Sequence, residues 1–126
     1  MKEEEREMLI GWWSTYDTTH ALINELPSDS TFVMEYEGKP LYAWTIYLTN
    51  TKSFCFMKNI IRNPNMKPAN RHKAMQQIAE HSENFARSLG YKRIIGSSAV
   101  EYNTELYKSF GYKIASTPVV FIEKEL

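Results

Sequence analysis

Lys39, Lys52, Lys58, Arg62, Lys67, Arg71 and Lys73 share a stretch with no acidic residue between Glu37 and Glu80. The last five crowd into a segment that leaves an apolar run, passes Asn63-Pro64-Asn65-Met66-Lys67-Pro68 and opens a long helical pattern. A basic loop feeding a helix N-terminus suits an anion, because unsatisfied backbone N–H groups and the helix dipole act in the same direction. The competing reading is a solvated basic face. Every acid lies outside this stretch, Glu3-Glu4-Glu5 and Glu7 among them, so a formal net charge of zero conceals the asymmetry.

Other reactive residue types form no such constellation. His20, His72 and His81 lack metal-ligand spacing with Cys55 or with a carboxylate pair, so no metal site is expected. Cys55 sits inside Phe54-Cys55-Phe56-Met57 and reads as core, not as a nucleophile. Ser97-Ser98 follows an apolar strand without the Gly-x-Ser-x-Gly elbow of hydrolases. Trp12-Trp13 is either an exposed recognition pair or a cover for a sheet, the second being the commoner use.

The chain of 126 residues is expected to be one domain, 1–126, with a core that needs no cross-links. One cysteine excludes a disulfide framework and suits a reducing compartment. Zero net charge argues against a general nucleic-acid binder. The apolar runs fall short of a membrane span, and Met1–Glu7 is too acidic for a signal peptide. A soluble cytoplasmic protein is the expectation.

Periodicity orders the elements that must position the basic loop. Glu3 to about Tyr16 reads as a helix with Met8, Leu9, Trp12 and Trp13 near one face. A short helical piece is expected around Ala21–Leu26, and Pro27–Ser30 as a loop. Strands are expected over Thr31–Tyr36, Leu41–Leu48 and Ser53–Ile61, separated by turns at Glu37–Pro40 and Thr49–Lys52. The long helix starts at Pro68 as N1 or at Asn70 as cap, carries a stripe of Met75, Ile78, Ala79, Ser82, Phe85, Ala86 and Leu89, and stops at Gly90. Lys92–Ser98 is a fourth strand, Asn103–Phe110 a shorter helix closed by Gly111, and Tyr112–Ala115 and Pro118–Lys124 the final strands. Strand three, the long helix and strand four predict a right-handed crossover between parallel strands. Ligands of such sheets sit beyond the strand C-termini, where the basic loop begins near Ile60–Arg62.

This order, and the phrases Phe85-Ala86-Arg87-Ser88-Leu89-Gly90-Tyr91-Lys92-Arg93-Ile94 and Leu106-Tyr107-Lys108-Ser109-Phe110-Gly111-Tyr112-Lys113, resemble the GNAT N-acetyltransferase superfamily over roughly Thr31 to Lys124. Trp12-Trp13 and Asn63-Pro64 further resemble GNAT-like proteins of bacteriophage genomes. The resemblance implies an α/β (α+β) fold of order α-β-β-β-α-β-α-β-β with a mixed central sheet and a parallel pair splayed at the cofactor. It implies acetyl-CoA as co-substrate and a small-molecule or peptide amine as acceptor. Family members often form homodimers, and a phage-encoded protein would act in the host cytoplasm.

By the same resemblance, backbone groups of Asn59, Ile60 and Ile61 would meet the pantetheine arm, and the pyrophosphate would sit on the long helix's N-terminus. The family's Gln/Arg-x-x-Gly-x-Gly/Ala pattern falls on Asn70, Lys73 and Met75, or one residue later on Arg71, Ala74 and Gln76. No glycine lies between Gly38 and Gly90, so His72 with Lys67, Arg71 and Lys73 would contribute charge in its place. Tyr107 matches the general acid that reprotonates the CoA thiolate. Val100 stands where the family's asparagine precedes that tyrosine, and neither Glu35 nor Glu101 stands out as a base. Two functions follow: an acyl-CoA-dependent N-acyltransferase acting on an unidentified amine, or a catalytically inactive GNAT-like binding or virion-associated module.

Overall fold

The computed structural model describes residues 1–16, 25–67, 70–96, 101–114, 122 and 124, with 101–104 as backbone only. Helix α1 spans Glu3–Thr15 with acids in its first turn, and the Glu5 carboxylate accepts the Lys2 backbone N–H at 2.7 Å. Leu9 and Trp12 are buried, and together with Leu26, Ala43 and Ile61 they form a cluster on which Met8 and Trp13 pack. The tryptophan pair therefore covers the sheet. The helical piece expected at Ala21–Leu26 falls mostly outside the described residues, and Pro27–Ser30 contains a 3₁₀ turn at Ser28–Ser30 instead of an open loop.

Strands β1 (Thr31–Tyr36), β2 (Lys39–Tyr47) and β3 (Cys55–Arg62) form an antiparallel meander, and β4 (Ile94–Gly96) adds in parallel to β3, in spatial order β1-β2-β3-β4. The first turn is tighter than expected. Glu37 and Gly38 carry φ of 52° and 77°, so two residues suffice and Lys39 and Pro40 already belong to β2. The register skips Leu41 beside Pro40, and a bulge is where a strand tolerates a residue without an N–H.

Helix α2 (Arg71–Ser88) crosses between the parallel strands, as its stripe requires. Ala74, Met75, Ile78, Ala79, Ser82 and Ala86 are buried, and most of them pack with Tyr42, Trp44, Ile46, Cys55 and Met57 on the second face of the sheet. Leu89 leaves the expected stripe and is 39% exposed. The helix has ended by then: Tyr91 N–H donates to Ala86 O at 3.0 Å and Gly90 N–H to Arg87 O at 3.0 Å, with Gly90 at φ 86°. That is a Schellman cap. Helix α3 (Glu101–Ser109) begins earlier than expected and ends identically, Tyr112 N–H donating to Tyr107 O at 3.1 Å around Gly111 at φ 92°. The Leu-Gly-Tyr and Phe-Gly-Tyr phrases are thus two copies of one helix-ending device. Tyr112–Ile114 are not strand, and the Tyr112 N–H is used in that cap; residues 115–121, and with them most of the expected final strands, lie outside the described residues.

Candidate functional site

The site is built where β3 ends and α2 begins. Across β2 and β3 the register runs Thr45↔Lys58 and then Ala43↔Ile61, so Asn59 and Ile60 together face Trp44. This is a β-bulge, and Asn59 holds φ at 59°, a left-handed value that asparagine tolerates better than most residues. Its Nδ2 donates to the Tyr47 hydroxyl at 2.7 Å.

The bulge reverses which side chains face which helix. Ile61 is 5% exposed in the α1-side cluster, whereas Ile60 packs on the α2-side cluster. Arg62 follows the new parity. It pairs across from Tyr42, on the α2 side, and both Arg62 and Arg71 lie close enough to act electrostatically on the Tyr42 phenol. Burial raises the pKa of that phenol above its ordinary value, and Arg71 and Arg62 pull it part of the way back. The loop between is tied down. Arg62 Nη1 donates to Met66 O at 2.7 Å, Asn63 Nδ2 to Pro40 O at 2.9 Å, and Tyr16 Oη to Arg62 O at 3.1 Å.

Asn70 settles where α2 starts: its Oδ1 accepts the Lys73 N–H at 3.0 Å and its carbonyl accepts the Ala74 N–H at 2.9 Å. Asn70→Ala is expected to destabilise the fold by about 1 kcal/mol, and Asn70→Ser to restore most of it; urea midpoints with an unchanged slope would check both. Arg71, His72 and Lys73 are exposed on the first turn, while Ala74 and Met75 are buried in the core with their main chain inside α2.

Tyr107 joins this neighbourhood from α3. The His72 ring lies 5.2 Å from Phe110, and Phe110 lies 6.2 Å from the Tyr107 ring. The Tyr107 hydroxyl is buried with no hydrogen-bond partner among the described residues, and burial pushes its pKa up to about 12. Beside it, burial and then the Glu83 carboxylate raise Tyr112, whose hydroxyl donates to Glu83 at 3.4 Å. Ile60, Asn70 to Met75 and Tyr107 therefore border the α2 side, whereas the Ile61 side chain turns to α1 and the Asn59 side chain reaches Tyr47, which packs on the same α1-side cluster. Glu35 lies exposed on β1, and Glu101 has no described side chain.

Tyr42 was missed from sequence, although its alternation with Trp44 and Ile46 puts all three on one face. Its meeting with Arg62 depends on the bulge, which no local pattern announces. A cleft lies elsewhere, along β1. Among the described residues no group of His, Cys, Asp and Glu could hold a metal ion, and no helix is long and apolar enough to cross a membrane.

No protein-family model and no curated protein matches the chain. Solved structures do. Rv2747 from Mycobacterium tuberculosis, in complex with CoA and NLQ, superposes with a TM-score of 0.71 at 17% identity over 94% of this chain and 73% of that one. AAC(6')-Iy with a CoA-S-monomethyl-acetylneamine bisubstrate analogue gives 0.69 at 14% identity, covering 100% and 95%. The GNAT family acetyltransferase SP0256 from Streptococcus pneumoniae TIGR4 gives 0.66 at 14% identity, covering 99% and 94%. With its mixed sheet, parallel β3–β4 pair and crossing α2, the chain has the fold of the GNAT acetyltransferases.

Proposed function

We propose that the protein is an acyl-CoA-dependent N-acyltransferase that moves an acetyl group from acetyl-CoA to an amine. The observation that carries this reading is the bulge at Asn59–Ile60, which sets Arg62 across from Tyr42, the phenol on which Arg71 also acts, at the C-terminal end of β3. A cationic surface at that end of a parallel pair fits the phosphates of a CoA thioester. In this reading Arg71, His72, Lys73 and Lys67 hold the phosphates by side-chain charge, and Asn59, Ile60 and Ile61 offer main-chain groups to the pantetheine arm. Acetyl-CoA supplies an activated acyl group. Tyr107 holds a proton at Oη for the departing sulfur, and the exposed helix start leaves the acceptor's identity open. The fold's solved relatives in complex with CoA, and with a CoA–aminoglycoside conjugate in one case, support the class of reaction. A phage-encoded origin and a cytoplasmic site of action, in the host if so, belong to the same proposal.

A second reading has its own observation. Asn70 occupies the Lys73 and Ala74 N–H groups, and no glycine opens this turn to a phosphate. A GNAT-like binding module without CoA chemistry would share that feature. Thermal unfolding with acetyl-CoA separates the two. Ligand at about a hundred times its dissociation constant stabilises by about 2.7 kcal/mol, and we expect that shift, weakened by Arg71→Ala and by Lys73→Ala. A flat response at millimolar acetyl-CoA would favour the module.

A further inference from the structure

The connection from β3 to α2 spends its main-chain donors on itself and on β2. Asn63 N–H donates to Leu41 O at 2.8 Å, Asn65 N–H to Asn63 Oδ1 at 2.9 Å and Met66 N–H to Asn63 O at 3.2 Å. Pro64 has no N–H, and Asn70 Oδ1 holds the Lys73 N–H at 3.0 Å. An anion at this connection is therefore left mainly to side chains, in contrast to the backbone cradles that wrap phosphates at many helix starts. Tyr42 is placed for that task. Its ring is buried in the α2-side core, with 4% of the residue exposed. Among the described residues its hydroxyl makes no hydrogen bond, yet it is not one of the sealed polar atoms without a partner, which are Trp44 Nε1, Ser82 Oγ and Tyr107 Oη. The hydroxyl thus opens to the surface on a ring that is held fast. Arg62 is its direct partner across the β2–β3 ladder, so the two side chains leave the sheet on one face. Arg62 is steadied in turn, Nη1 donating to Met66 O and its carbonyl accepting the Tyr16 hydroxyl.

We propose that Tyr42 determines recognition of the phosphate joined to the donor's pantetheine arm, its hydroxyl donating to an oxygen of that phosphate while Arg62 and Arg71 neutralise the charge. The inference rests on the acyltransferase reading above and adds to it a residue of β2. In that reading the arm lies along Asn59, Ile60 and Ile61, and Arg62 is the next residue of β3. The phosphate at the end of the arm then arrives beside the cross-strand pair of Tyr42 and Arg62, ahead of the exposed cations of α2. Burial holds the phenol above its ordinary pKa against the pull of Arg71 and then of Arg62, so it keeps its proton at neutral pH, as a donor to phosphate must. A hydroxyl on an immobile ring also loses little side-chain freedom when it binds, unlike the long cations around it.

Calorimetry on the whole chain with acetyl-CoA, S-acetyl-4′-phosphopantetheine and S-acetylpantetheine tests this. The parent should bind the two phosphorylated thioesters, and S-acetylpantetheine at least about tenfold more weakly, the usual worth of hydrogen bonds to a charged acceptor. Tyr42→Phe keeps the ring and should weaken both phosphorylated thioesters about tenfold while leaving S-acetylpantetheine unchanged. Arg62→Gln should show the same pattern, and the two losses should be less than additive in the double variant, because both groups act on one phosphate. Circular dichroism establishes that each variant folds. If Tyr42→Phe binds acetyl-CoA as the parent does, the inference is overturned and the acyltransferase reading stands. Equal weakening of all three thioesters by Tyr42→Phe would also overturn it, making the residue a support of the sheet. A parent that binds none of the three removes the acyltransferase reading and this inference together.

Discussion

Tyr107→Phe is expected to lower acetyl transfer by about 10²–10⁴-fold, the usual contribution of a positioned proton donor, without destabilising the fold. The two halves of this expectation come from one atom. The Tyr107 hydroxyl is buried and has no partner among the described residues, while its ring packs on the α2-side core and lies 5.4 Å from Tyr112. A buried hydroxyl without a partner costs about 1–3 kcal/mol of desolvation. Phe keeps the ring and removes that cost, so the variant should be as stable as the parent or more so by about 1 kcal/mol. A pKa raised to about 12 keeps the proton in place throughout neutral pH, so Tyr107 remains a donor across the working range. Thermal unfolding and thiol release from acetyl-CoA, measured on the same sample, check the pair of outcomes. Raised stability with turnover intact would make Tyr107 a packing residue only. A large drop in stability would mean that the hydroxyl has a partner in the folded chain.

Asn59→Ile is expected to cost about 2–4 kcal/mol and to abolish the acetyl-CoA-dependent shift in melting. A β-branched residue held in the left-handed region carries about 1–3 kcal/mol of strain, and the lost bond from Asn59 Nδ2 to the Tyr47 hydroxyl adds about 1 kcal/mol. Asn59→Gly loses the same bond without the strain, so the difference between the two variants isolates the backbone term. If the chain escapes the strain by pairing without the bulge, Ile61 takes the place opposite Tyr42 and Arg62 turns toward α1. Cofactor binding would then fail in a protein that still folds. Equal stability of Asn59→Ile and Asn59→Gly, with acetyl-CoA binding retained in both, would remove the bulge from the site.

The features legible in the sequence are those whose physics is local. Gly90 and Gly111 end their helices because only a residue free of a Cβ takes φ near 90° cheaply, and a Tyr follows each to complete the cap. Thr31–Tyr36 alternates as a strand, and Leu9 and Trp12 share a helix face by spacing alone. The cationic character of the segment from Lys58 to Lys73 is visible as charge along the chain. Where Asn70 stood as one of two helix starts, a single hydrogen bond chose it.

Tertiary structure decided the rest, because the rest is register. The bulge exists only in relation to β2: Asn59 and Ile60 are ordinary strand residues until Trp44 faces both. From that one extra residue follow the inward turn of Ile61 toward α1 and the placing of Arg62 across from Tyr42 on the α2 side of the sheet. The burial of the Tyr107 hydroxyl, without a partner among the described residues, likewise depends on how α3 packs, through Phe110 and His72, against the start of α2. Composition and periodicity specify which elements form. Which side chains meet depends on pairings between residues far apart in the chain, and a slip of one residue exchanges one face for the other.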